Sequence, residues 1–99
     1  MITKNAIKQD LKNIKTYCKN KSMFNGSYVA FFNTLIEKYT KAVNSLNNAK
    51  YMLLFNGYYL SGINCGFETL AYDLGCSLQS LTLVNRQLIE NLVKYFNEN

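Results

Sequence analysis

Lys4, Lys8, Lys12, Lys15 and Lys19 recur at steps of four, four, three and four, and Lys21 follows two residues later. On a helix that spacing gathers five ammonium groups on one face. Asp10 alone opposes them, so residues 1–22 carry a net charge of +5. Residues 23–99 balance Lys38, Lys41, Lys50, Arg86 and Lys94 against five acids, so the whole basic excess lies in the first segment. Lysines four apart repel slightly, so the helix tolerates such a stripe more than it favours it. The chemistry it offers is electrostatic: a rail for a polyanion, most directly nucleic-acid phosphates, with Lys4, Lys8, Lys12, Lys15, Lys19 and Lys21 as phosphate contacts. An acidic protein partner or an anionic surface would meet the same pattern, and so would a solvated helix face.

Bond-making chemistry finds little footing. There is no histidine. Cys18, Cys65 and Cys76 form no CxxC pair, which removes the usual zinc and triad arrangements. No GxxxxGK[ST] or GxGxxG loop occurs, and the six acids are scattered without a paired arrangement. No enzyme, metal or cofactor is expected. Three cysteines leave one over in any disulfide scheme, so a reduced, cytoplasmic setting is expected. The longest apolar run, YMLLF at 51–55, falls far short of the roughly 20 residues of a membrane span, and no membrane partner or signal peptide is expected.

The elements that must position the lysines are helical. Ninety-nine residues, 48% hydrophobic and without proline, describe one domain (1–99) of the all-α class, a bundle of four to five helices. Ile7, Leu11, Ile14 and Cys18 make an apolar seam, and the first helix should run from Lys4 to Lys19. Asn25-Gly26 marks a turn, with Ser27 as cap to a second helix over 28–46 whose inner face is Phe32, Leu35, Tyr39, Val43 and Leu46. Asn47-Asn48 interrupts it. Residues 49–60 read either as a buried helix carrying Gly57 or as a hairpin about Asn56-Gly57; the helix is preferred, because a lone hairpin gains little. Gly62, Cys65 and Gly66 suggest a loose joint, followed by a short helix over 67–74, a turn at Gly75-Cys76 and a last helix from Ser77 to about Tyr95.

The turn lies in TLAYDLGCSLQSL, residues 69–81. Ala71 gives a small residue where a second helix could cross, Gly75 suits a left-handed turn, Cys76 could plug the corner, and Ser77 could cap the next helix. Leu70, Leu74, Leu81, Val84 and Leu88 would form the core between them. The stretch FETLAYDLGCSLQSLTLVNRQL, residues 67–88, resembles the helix-turn-helix of bacterial transcription regulators of the catabolite-activator type. The resemblance covers about a fifth of the chain, and no wing is expected after the last helix. It implies that the last helix enters the major groove, with base contacts from Ser77, Leu78, Gln79, Thr82, Leu83 and Arg86. Gln79 would pair with adenine and Arg86 with guanine or phosphate. Two departures count against that: Leu78 and Leu83 stand where the resembled family often has arginine, and Glu90 would sit badly near phosphate.

Two functional readings therefore stand open. One is a small DNA-binding regulator on double-stranded DNA, a homodimer because one reading helix offers little contact. The other is a small helical inhibitor or immunity-type protein, of phage or AT-rich bacterial origin as fourteen asparagines suggest, which acts by covering a protein partner.

Overall fold

A computed structural model describes residues 1–62 and 66–98. Among the described residues five α-helices account for the fold: α1 (Lys4–Lys19), α2 (Gly26–Leu46), α3 (Ala49–Leu54), α4 (Phe67–Leu74) and α5 (Leu78–Glu98). A single 3-10 turn at Lys21–Met23 leads into α2, and α3 runs on into a wider π-helical turn at Phe55–Leu60. No strand occurs among the described residues, so the all-α bundle is the architecture. No helix among them is long and apolar enough to cross a membrane.

Several starts and stops have local causes. Thr3 caps α1, its Oγ1 accepting from the Ala6 N–H at 3.1 Å. At α2 the cap is Asn25, not Ser27: the Asn25 side chain accepts from the Tyr28 N–H and the helix begins at Gly26. Asparagine caps as well as serine, and the earlier residue takes the role. The Asn47-Asn48 pair divides its work. Asn47 ends α2 in the left-handed region (φ 50°), while Asn48 Oδ1 accepts from the Lys50 and Tyr51 N–H groups to start α3.

Residues 49–60 are helical throughout, which excludes the hairpin. Asn56-Gly57 lies inside the π turn, and Gly57 admits the Leu70 methyl, which would stand 3.3 Å from a Cβ there. The joint is not loose at Gly62. Its φ is +73°, and an added Cβ would meet the Cys18 carbonyl oxygen at 2.7 Å, so the end of the π turn is pressed onto the end of α1. Cys65 lies outside the described residues. The last helix outruns its expected end by three residues, because Phe96 packs on Tyr39 (5.2 Å) and Asn97 exchanges two hydrogen bonds with the Ile2 backbone.

The core is built from Ile7, Leu11 and Ile14 of α1, Tyr39 and Val43 of α2, Leu54 and Phe55, and Leu88 and Leu92 of α5. The α1 seam turns inward at Tyr17, with Cys18 only half-buried, because the Tyr17 ring stacks on Phe32 at 4.6 Å. Of the expected α2 face, Tyr39 and Val43 are buried while Phe32, Leu35 and Leu46 are partly so. Two of the buried tyrosines donate to polar side chains, which avoids the penalty for an unmade hydrogen bond: Tyr39 to Asp10 Oδ2 at 2.6 Å and Tyr59 to Asn85 Oδ1 at 2.6 Å. Burial, reinforced by Asp10 at Tyr39 and by Tyr58 at Tyr59, raises both hydroxyls well above the ordinary tyrosine value. Above pH ~10 the unfolded chain releases these protons while the folded chain keeps them, so stability falls as pH rises through that range. Chemical denaturation between pH 8 and pH 11 is expected to show that fall, and a smaller one in Tyr39→Phe.

Candidate nucleic-acid interface

The corner between α4 and α5 is set by Gly75 in the left-handed region (φ +69°). Its N–H donates to the Tyr72 carbonyl at 3.1 Å and the Cys76 N–H to the Ala71 carbonyl at 2.9 Å, the paired bonds of a Schellman ending. Ser77 then caps α5: its Oγ accepts from the Ser80 N–H at 3.0 Å, and its hydroxyl donates to Ser80 Oγ at 2.9 Å. Ala71, Leu70, Leu81 and Leu88 are buried at the crossing and Val84 is half-buried, as the spacing implies. The plug is absent. Cys76 is exposed and Leu74 is 42% exposed, because the chain swings both residues outward onto the rim of a groove of about 320 Å3 shared with Lys50, Leu53, Ser80, Leu81 and Val84.

On the outer side of α5, Gln79, Thr82, Leu83 and Arg86 share a shallow cavity with Leu78. All five are exposed, Leu78 and Leu83 at 43% each. Ser77 stands apart as the cap. Thr82 donates its hydroxyl proton to the Leu78 carbonyl at 2.9 Å, so toward a ligand it offers an acceptor. Among the described residues the Gln79 amide and the Arg86 guanidinium have no hydrogen-bond or ion-pair partner.

Helix α1 lies against α5 and runs the other way. Ile2 meets Asn97, Lys4 meets Glu90 at 3.8 Å, and Lys8 lies beside Asn85 and Ile89. Lys4 and Lys8 thus line a cavity of about 230 Å3 with Thr82, Asn85 and Arg86. A second cavity, about 330 Å3, continues along α1 past Lys8, Lys12 and Lys15 toward the π turn. Thr82 and Arg86 belong at once to the outer face of α5 and to the lysine-lined cleft.

The lysines are not equivalent. Lys8 and Lys12 are exposed, and neither has an ion-pair partner among the described residues. Lys15 is engaged by the fold, donating to the Tyr58 carbonyl at 2.9 Å with its ammonium 3.7 Å from the centre of the Tyr58 ring. Lys19, at the end of α1, and Lys21, in the 3-10 turn that follows, are exposed and line neither cavity. The acid of this segment, Asp10, is bound to Tyr39 of α2 and does not line the lysine cavities. Glu90 is half-exposed beside Lys4, an arrangement worth at most about 1 kcal/mol and easily exchanged for another anion.

Two partners in this arrangement carry no signature of their own in the sequence. Asn85 shows only as an uncharged amide beside the apolar row of α5, and Tyr59 only as one of two adjacent tyrosines. The largest of these cavities, about 590 Å3, is lined from α2 alone by residues from Asn33 to Ser45 and is a helix flank, not a cleft between elements. Among the described residues no group of three histidine, cysteine, aspartate or glutamate side chains could hold a metal ion. Comparison with protein-family models, with curated proteins and with solved structures gave no match, so function rests on the site itself.

Proposed function

We propose that the chain is a small DNA-binding regulatory protein in which α5 reads the major groove and the lysines of α1 hold the adjacent backbone. The observation that carries this reading is the sharing of Thr82 and Arg86 between the exposed row of α5 and the cleft lined by Lys4 and Lys8. A reading set and a phosphate rail are useful only if they face one duplex together. Gln79 and Arg86 supply the base-edge chemistry, and the glycine and serine corner supports the resemblance to a helix-turn-helix. A homodimer follows from the small contact of one helix, and a reducing cytoplasm suits the free thiols of Cys18 and Cys76.

The test is fluorescence anisotropy with a mixed pool of duplexes over a salt series. Lys8, Lys12 and Arg86, with Lys4 exchanging Glu90 for phosphate, predict a log–log slope of about −3 to −4. Glu90→Gln should tighten binding by removing a negative charge beside the backbone. Absence of binding at low salt contradicts the reading.

A second reading has its own observation. Leu53 (55% exposed), Leu74 and Cys76 rim the apolar groove beside the α4–α5 corner, and Leu78 and Leu83 extend apolar surface along α5. Such a surface suits a small inhibitor or immunity-type protein that covers a protein partner. Leu83→Arg separates the two: it is tolerated or improves duplex binding, whereas it damages a protein interface centred on α5.

A further inference from the structure

The cavity at the junction of α1, the π turn and α5 has features that a duplex does not use. Its polar lining comes from Lys8, Lys12, Lys15 and Asn85, and no carboxylate lines it. Asn85 Oδ1 accepts the Tyr59 hydroxyl, which turns the amide so that Nδ2 is left with two N–H donors and no partner among the described residues. Tyr59 is 6% exposed, and its burial keeps the hydroxyl proton on the oxygen, as the donor role requires. Tyr58, Tyr59, Phe67 and Ile89 complete the lining, and the Phe67 ring packs on Tyr58 with centroids 4.5 Å apart. Duplex phosphates would engage the lysines but have no flat group to lay against Phe67, because paired bases stay stacked in the helix.

We propose that this cavity binds a nucleoside monophosphate, its phosphate held by Lys8, Lys12 and Asn85 Nδ2 and its base set against Phe67 and Ile89. The volume, about 330 Å3, falls at the small end of the roughly 300–1,000 Å3 typical of ligand pockets. One wall is the π turn, a widened helix of the kind that recurs at functional sites. Because Lys8 also lines the cleft beside Arg86, a bound nucleotide neutralises part of the duplex face. The proposal does not depend on duplex binding, since its probe is a free nucleotide.

The experiment is calorimetric titration of the full chain with adenosine monophosphate, adenosine and inorganic phosphate in parallel. Adenosine monophosphate is expected to saturate one site with a Kd of about 10 µM to 1 mM, and each fragment to bind about tenfold more weakly or less. Asn85→Asp keeps an acceptor for Tyr59 but sets a carboxylate among the lysines, and should weaken the nucleotide by about tenfold or more. Lys12→Gln, at an exposed position, leaves the packing intact and should weaken it several-fold. Unchanged circular dichroism identifies the folded variants. Failure of the nucleotide to saturate overturns the proposal. So does phosphate or adenosine binding as tightly as the nucleotide, or a nucleotide affinity that neither variant alters.

Discussion

Replacing Lys8, Lys12 and Arg86 together by glutamine is expected to reduce duplex affinity at 0.1 M salt by about 500-fold. Each phosphate contact contributes about 0.9 to the log–log salt slope. Its electrostatic share, negligible near 1 M, grows roughly eightfold over the decade down to 0.1 M, and three independent contacts multiply. The salt slope should fall to about −1 or flatter, leaving Lys4. All three side chains are exposed, so stability should move by no more than about 0.5 kcal/mol for each substitution. The control removes the same charge elsewhere: Lys41, Lys50 and Lys94 to glutamine should weaken binding only a few-fold, through net charge alone. Equal losses in the two triple variants would show that the protein binds as a diffuse cation and that the α1–α5 face has no special part.

The second large effect is on stability. Gly62→Ala should destabilise the fold by about 2–4 kcal/mol, and Gly75→Ala by about 1 kcal/mol. Both glycines have a φ near +70°, so both substitutions carry the penalty of a left-handed backbone. They differ in what a methyl group meets. At Gly75 there is nothing within 4 Å, whereas at Gly62 the Cys18 carbonyl oxygen lies at 2.7 Å, and neither backbone can yield without moving the end of α1. Urea unfolding of the two variants measures the difference directly. Equal values would mean that the π turn is not pressed against α1, and the wall of the nucleotide cavity would lose its support.

The elements legible in the sequence were those whose limits are set by neighbours in the chain. Helices α1 and α4 run between the residues that spacing and turn chemistry assign, and the interruption at Asn47-Asn48 is where two asparagines would place it. What was not legible depends on partners far along the chain. Asn56-Gly57 has the local signature of a hairpin, yet the segment is helical and packs so closely on α4 that a Cβ at Gly57 would stand 3.3 Å from a Leu70 methyl. Cys76 has the size to fill a corner, but no sequence pattern says that the chain turns it outward with Leu74.

The candidate site divides in the same way. Gln79, Thr82, Leu83 and Arg86 share one face because helical periodicity alone requires it. That this face adjoins Lys4 and Lys8 is a tertiary fact, arising from the antiparallel packing of α1 on α5 through Ile7, Leu11, Leu88 and Leu92. Asp10 illustrates the limit most clearly. As a charge in a list it offsets one lysine, but Tyr39, twenty-nine residues away, binds it.

The most direct test of a single continuous duplex face is a nitrogen–proton correlation spectrum of the labelled protein, titrated with a short duplex. Shifts should appear together along Lys4–Lys12 of α1 and Gln79–Arg86 of α5, and should fade as salt is raised. Shifts confined to the groove about Leu53, Leu74 and Cys76, or no shifts at low salt, would contradict the account.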